Sequence, residues 1–253
     1  MLPKTCLVGA AGHVPQRGAV SMTAPMAALA LDPKVSGVLE ELHRKSRREL
    51  PSLVGYFLLR AIPRWIRWQR SPEIDEQAQS FLSDKLIALA QDKCEFCYLM
   101  CRSIAARRIV EVGSSFAVST IYLAAAARES GGEGALVIGT EIDSRKVAFA
   151  RRNLERAGLS AFADIRLGDA RRTLLDVEGP IDFVLIDSWI PLARPMIEML
   201  APRLRRGAIV VCDNTGQFSK QYRDYLDYVR SPENGFRSTQ IPYRGGLELS
   251  VRC

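Results

Sequence analysis

No run of apolar residues in this chain approaches the roughly 18 that a helical membrane span requires. The nearest imitation of a secretory leader, Ala19 to Leu31 with Ala28-Leu29-Ala30, is interrupted by Pro25 and follows a long irregular lead, which argues against one. The six cysteines (Cys6, Cys94, Cys97, Cys101, Cys212 and Cys253) lack the spacing of a disulfide framework. Cys212 also falls in an expected buried strand, and together these features favour a reducing, cytoplasmic setting. Histidine is scarce, with only His13 and His43. A thiolate metal site on Cys94, Cys97 and Cys101 would need a fourth ligand, and both histidines are remote in sequence. Spaced i, i+3, i+7, the three cysteines share one helical face with Leu86, Ala90 and Ile104 and read as core. Internal repeats and low-complexity segments are absent.

What is present is a chain of 253 residues, 47% hydrophobic and 25% charged, the composition and length of one α/β domain with an appendage. The net charge of +7 is localised. Residues 43–70 carry eight Lys/Arg (Arg44, Lys45, Arg47, Arg48, Arg60, Arg64, Arg67, Arg70) against one acid, Glu49, so the rest of the chain is balanced. A basic nucleic-acid-binding domain is therefore not expected. Residues 51–70 mix apolar and aromatic residues with arginines and are expected to break at Pro63. This stretch suits a helical arm packed on the domain or on a second subunit, which makes a homodimer the expected assembly. With Trp65 and Trp68 beside Arg64, Arg67 and Arg70 it also suits a peripheral membrane contact, or a nucleic-acid contact.

Residues 1–21 have no periodicity and are expected to form a disordered arm. Residues 22–106 form an N-terminal helical region: a pattern from Met22 to about Arg48, a capped start at Ser71-Pro72-Glu73, and a helix from about Asp84 or Glu95 to Ala105. From 107 to 253 the alternation is regular. Strands are expected at 108–113, 135–141, 162–167, 181–187, 207–213, 236–241 and 247–252. Helices fill 117–128, 143–157, 170–176, 191–204 and 219–230. Five β-α units followed by two strands without a helix imply a doubly wound α/β fold, with a mostly parallel seven-stranded sheet and an antiparallel C-terminal edge pair.

In such a sheet, ligands sit beyond the carboxyl ends of the strands. The first strand ends at Gly113, which allows close backbone approach, and Ser114, Ser115 and Ser119 offer hydroxyls. The second ends on Glu141, placed to accept both hydroxyls of a ribose, with Ile142 to cover a flat base. The third ends in Gly168-Asp169-Ala170, on the same rim. A nicotinamide dinucleotide would also use an acid after the second strand. Here Gly113-Ser114-Ser115-Phe116 lacks the second glycine of G-x-G-x-x-G that admits a pyrophosphate, so a nucleoside without phosphates fits better.

These motifs, Glu111-Val-Gly-Ser-Ser-Phe-Ala-Val-Ser119, Thr140-Glu-Ile-Asp143, Gly168-Asp-Ala170, Leu185-Ile-Asp-Ser-Trp189 and Val211-Cys-Asp-Asn214, resemble those of class I S-adenosylmethionine-dependent methyltransferases. Within that group they look like the cation-dependent O-methyltransferases of the catechol and caffeoyl-CoA type. The resemblance covers about 107–253 and implies a Rossmann-like domain binding S-adenosylmethionine and a divalent cation such as Mg²⁺. It implies that Gly113 and Ser119 line the methionine end of the cofactor. Glu141 would hold the ribose, Ile142 the adenine face, the Asp169-Ala170 turn the adenine edge, and Trp189 would pack near base or acceptor. Asp187, Asp213 and Asn214 would ligate the metal, with Asp187 also the catalytic carboxylate. Two carboxylates and an amide oxygen on adjacent strand ends are a hard oxygen set suited to such an ion, which would favour the oxyanion of a small-molecule acceptor.

Two departures stand out. The family's lysine, one residue after the Asp-x-Trp match, is Ile190 here, and Arg194 or Lys220 would be poor substitutes. The Ile241–Gly246 loop is too short for the acid that some members use on the second hydroxyl. Rival readings are a metal-free methyltransferase with another acceptor, including RNA; an idle cofactor-binding or membrane-associated protein; and a nicotinamide enzyme.

Overall fold

A computed structural model describes residues 29–67, 86–131 and 134–253, without the side chains of 50, 52–67 and 131. The expected arm at 1–21, the helix start at Ser71 and the leader-like stretch up to residue 28 lie outside the described residues. So do the side chains of 52–67 and all of residues 68–70, on which the dimer and membrane expectations rest.

The first helix, α1 (Pro33–Arg67), runs without the expected break at Pro63 and passes through Pro51 as well. A proline costs a helix one backbone hydrogen bond and some straightness, which a long helix can carry. Helix α2 (Gln91–Ser103) follows and buries Cys94, Cys97 and Cys101, as their shared face foretold. Among the described residues no helix is long and apolar enough to cross a membrane.

The alternation expected after residue 107 is present. It comprises β1 (Arg108–Val112), α3 (Val118–Gly131), β2 (Leu136–Glu141), α4 (Ser144–Arg156), β3 (Ala163–Leu167) and α5 (Ala170–Thr173). It continues with β4 (Ile181–Ile186), α6 (Ile190–Leu200), β5 (Leu204–Asp213), α7 (Arg223–Arg230), β6 (Phe236–Ile241) and β7 (Leu247–Arg252). Four elements have boundaries that differ from expectation. Helix α5 is one turn. Helix α6 stops at Leu200 because Ala201-Pro202-Arg203 tightens into a 3-10 turn. Strand β5 therefore begins three residues early, and Gly207, at φ +78°, lies where its register against β4 shifts between Ile181 and Phe183. Turns occupy the chain after Asp213, so α7 starts at Arg223.

The seven strands lie in the order β3-β2-β1-β4-β5-β7-β6. Strands β1 to β5 pair in parallel, and β7 runs antiparallel to both β5 and β6. This is the doubly wound sheet expected, with its antiparallel edge pair. Its central strands are buried on both faces, as runs such as Phe183-Val-Leu-Ile186 require. Val110, Val112, Val184 and Ile186 share a core with Leu174, Met196, Ile197, Tyr225 and Val229 of the α5–α7 side. The chain winds one way through β1, β2 and β3 and the other way through β4 and β5. The connections that leave the carboxyl ends of the paired strands β1 and β4 therefore run to opposite sides, opening the crevice where such sheets bind ligands.

Candidate active site

The crevice is built from the turn after β1. Gly113 adopts φ +96°, and a Cβ added there would lie 2.3 Å from the carbonyl oxygen of Asp187. Only glycine fits. Ser115 (φ +46°) and Ala117 (φ +66°) also take left-handed conformations, a concentration of backbone strain typical of binding sites. The turn is held from β2, whose Thr140 carbonyl accepts from Gly113 N (3.2 Å) and Ser114 N (3.0 Å). Gly139 makes room for the Ser114 hydroxyl, which would lie 2.2 Å from a Cβ at that position. That hydroxyl donates to the buried Glu111 carboxylate at 2.7 Å, and Thr120 Oγ1 donates to the same oxygen. Burial raises the Glu111 pKa while the hydroxyls of Ser119, Thr120 and Ser114 oppose the rise. Ser119 thus sits inside this cluster, at the floor of a cleft lined by Gly113, Ser114, Ser115, Ser119 and Asp187.

Across that cleft lies a wall the sequence did not reveal, Leu86 to Leu89. It is tied to α1 by Leu86 N donating to Glu49 Oε2 (2.7 Å) and Ala88 N to Ser46 Oγ (3.4 Å). Beside Gly113, the Ser188 hydroxyl is buried and has no hydrogen-bond partner. A polar ligand reaching the cleft would relieve that cost.

Glu141 ends β2 at the rim. Its Oε2 accepts from Ser115 N at 3.0 Å and its Oε1 from Asp143 N at 2.9 Å. Two backbone donors therefore fix the carboxylate in orientation, and each oxygen keeps a lone pair for a further donor. Ile142, next in sequence, is 71% exposed, an apolar face presented to solvent at the rim. Asp169 caps α5 through Arg171 N (2.9 Å) and pairs with the Arg171 guanidinium, which holds its pKa down at about 2. Ala170 behind it is buried. The Asp169-Ala170 turn stands next to the Glu141 turn, since Gly168 N donates to Glu141 O at 2.9 Å.

The other half of the site lies at the ends of β4 and β5. Asp187 N donates to Val112 O (3.0 Å), seating Asp187 directly beside Gly113. Trp189 precedes α6 and is 40% exposed. Asp213 is buried, and Asn214 turns the chain at φ +60° while its N–H donates to Gly246 O at 3.1 Å. The Ile241–Gly246 loop thus folds back onto the expected ligand trio. Burial raises the Asp187 pKa most, Asp213 and Glu111 raise it further, and Lys93 opposes them.

Lys93 is the residue sequence reasoning missed. It projects from α2, is buried, and its ammonium closes on the Asp213 carboxylate, with Gly246 O at 3.4 Å. The two cations considered as stand-ins for the lysine missing at Ile190 do not serve. Arg194 stacks on Tyr228 (4.1 Å) and binds Glu198 and the Asp224 carbonyl, and Lys220 is exposed. Among the described residues no three acidic, histidine or cysteine side chains form a group able to hold a metal ion. As folded, the trio does not fit a divalent cation, because Asp213 already faces an ammonium that would repel one.

Residues 110–215 match a family profile described as a methyltransferase domain. A catechol O-methyltransferase of Mycobacterium tuberculosis is 35% identical over 129 residues, which are 51% of this chain and 57% of that protein. The chain thus spans little more than half the length of that relative. Among solved structures, an O-methyltransferase of Bacillus cereus in complex with SAH superposes with a TM-score of 0.60 at 20% identity, covering 76% of this chain and 97% of that one. An O-methyltransferase of Streptomyces achromogenes in complex with SAM does so with a TM-score of 0.61 at 21% identity, covering 76% and 96%. These likenesses establish a shared fold.

Proposed function

We propose that this chain, which belongs to the class I S-adenosylmethionine-dependent methyltransferases, transfers a methyl group from S-adenosylmethionine to a hydroxyl oxygen of a small molecule. The observation that carries this reading is the glycine-only turn at Gly113 placed beside the doubly anchored Glu141 carboxylate at the sheet's switch point. It is a site for a nucleoside with a polar tail and no phosphates.

In this reading the Gly113 turn and Ser119 receive the amino-acid end of the cofactor. Glu141 accepts the ribose hydroxyls on its remaining lone pairs, and Ile142 covers one face of the base. The Asp169-Ala170 turn closes the base edge. When bound, the cofactor would supply a sulfonium methyl group to the acceptor oxygen, with the carbon–sulfur electron pair left on sulfur and the hydroxyl proton released to water. The chain's part is to hold the acceptor oxygen in line, which removes much of the entropic barrier. Asp187, Trp189 and the Leu86–Leu89 wall border the space where an acceptor would lie. Because the relative above is named for catechol, aromatic diols are the first acceptors to screen, although Ile190 and the short Ile241–Gly246 loop point to a different grip on the second hydroxyl.

The test is calorimetric titration of S-adenosylhomocysteine into the wild-type chain and into Glu141→Ala, followed by transfer from radiolabelled S-adenosylmethionine to a diol panel. Wild-type binding weakened at least about tenfold by the substitution, roughly the worth of a charged hydrogen bond, supports the reading. Absence of binding to the wild type would remove it.

A further inference from the structure

We propose that Lys93 is the resident cation of this site: its ammonium stands where a divalent ion was expected, and the chain works without metal. The inference rests on the methyltransferase reading for its chemistry, but on the ion pair alone for the exclusion of metal.

Lysine is almost never fully buried unless paired. Lys93 is 3% exposed and meets Asp213, 120 positions further along the chain. The pairing is built from three sides. Helix α2 brings the ammonium, β5 brings Asp213, and the β6–β7 turn brings the Gly246 carbonyl at 3.4 Å. A Cβ added at Gly245 would lie 3.7 Å from Lys93 Nζ and 2.8 Å from Asn214 Oδ1, so the ammonium and the expected amide ligand converge on one small space. The field of Lys93 also reaches Asp187, where it opposes the repulsion from Asp213 and Glu111. One of the three expected ligands, Asp213, is therefore already paired with a positive charge supplied by the protein, and a second, Asp187, lies within its field.

A fixed ammonium can perform the electrostatic part of a metal's task. An ammonium has three donors; Asp213 and the Gly246 carbonyl take two, and in this proposal the third serves an acceptor oxygen on which negative charge grows. It cannot chelate two neighbouring hydroxyls as a metal would, which matches the loss of the family's lysine at Ile190 and the short loop after β6. The acceptor class that follows is one offering a single activated hydroxyl, such as a phenol, with no need for a vicinal partner.

The experiment uses the full chain saturated with S-adenosylhomocysteine and titrates Mn²⁺ by calorimetry, beside Asp213→Asn. The expected result is no Mn²⁺ binding to the wild type and turnover of a phenolic acceptor that persists in a chelator. Lys93→Met should lower turnover about a hundredfold or more, as loss of an oxyanion donor does, with little change in cofactor affinity. Lys93→Arg, which keeps the charge and the partner, guards against misfolding and should retain cofactor binding and part of the turnover. Stoichiometric Mn²⁺ binding to the wild type that Asp213→Asn abolishes would overturn the proposal, as would turnover that a chelator stops. If the chain binds no S-adenosylhomocysteine, the functional reading fails, and the Mn²⁺ titration of the unliganded chain still decides the question of metal.

Discussion

Replacing Gly113 by alanine should disable the cofactor cleft and cost more than backbone strain alone. An alanine forced into a left-handed conformation costs on the order of 1–3 kcal/mol. At Gly113 the new methyl carbon would also stand 2.3 Å from the carbonyl oxygen of Asp187 and 3.1 Å from Ser188 Cβ. That carbonyl belongs to backbone, held by the Asp187 N–H bonded to Val112 O, so it cannot swing aside as a long side chain would. Overpacking of this kind adds roughly 1–3 kcal/mol, for a total of about 2–6. Gly158 supplies the control. It has φ +68° at the end of α4, and an added Cβ would meet nothing within 4 Å. Gly158→Ala should therefore show strain alone, about 1–2 kcal/mol. Urea unfolding of the two variants beside the wild type reads the difference as a shift of midpoint at constant slope. Calorimetry should show S-adenosylhomocysteine binding lost in Gly113→Ala and kept in Gly158→Ala. Equal midpoints, or undiminished binding by Gly113→Ala, would refute the argument that the turn must approach Asp187 so closely.

His43 is buried against Tyr122 (3.2 Å), and burial, with Arg47 nearby, lowers its pKa from 6.5 to about 4. The folded state therefore holds it neutral while the unfolded chain protonates below about pH 6.5. The contribution to stability is full above that pH and falls as pH drops towards 4, by about 2 kcal/mol between pH 7 and pH 5. Urea titrations at the two pH values should show a smaller drop for His43→Gln than for the wild type, and an equal drop would sink the assignment. Glu141→Gln keeps the shape but weakens the acceptor towards both backbone donors and ribose, and should loosen S-adenosylhomocysteine by roughly 10- to 100-fold, read by calorimetry against unchanged melting. Glu248 is wholly buried and accepts from Arg230 at 2.8 and 2.7 Å and from Ser238 at 2.6 Å. Because Arg230 is half exposed and can return to water, Glu248→Ala should cost about 2 kcal/mol rather than the larger penalty of a stranded buried charge. A measured loss below about 0.5 kcal/mol would place this pair with ordinary surface ion pairs.

The sheet was legible because its signals are local. Runs such as Ile109-Val-Glu-Val112 and Phe183-Val-Leu-Ile186 are too apolar and too short for anything but strands buried on both faces, and Gly113 punctuates the end of the first. The errors fell where local signals compete. Pro63 reads as a helix break yet lies inside α1. Residues 201–203 look like a continuing helix, but Pro202 turns them. The helix expected at 170–176 forms only as the single turn Ala170–Thr173.

The two halves of the site differ in the same way. The cofactor half is made of short-range parts: the Gly113 turn bonds to Thr140, Glu141 bonds to Ser115 and Asp143, and each residue stands at the end of a strand the sequence announces. A parallel sheet delivers all its strand ends to one edge, so acids at those ends gather whether or not a cation was intended for them. Glu111, Asp187 and Asp213 do so here, and Asp187 feels the charge of the other two. What distinguishes a metal centre from a crowd of acids is the countercharge, and that comes from outside the sheet. Lys93 lies in a helix beside the buried cysteine Cys94, where nothing in the pattern of residues 91–103 separates it from a solvated lysine. Only the tertiary placement of α2, which packs chiefly on α3 and touches β4, brings it to Asp213, with the Gly246 carbonyl closing the third side. The acceptor half of such a site is therefore read from the elements that cover the sheet, and its chemistry turns on one ammonium that strand motifs cannot foretell.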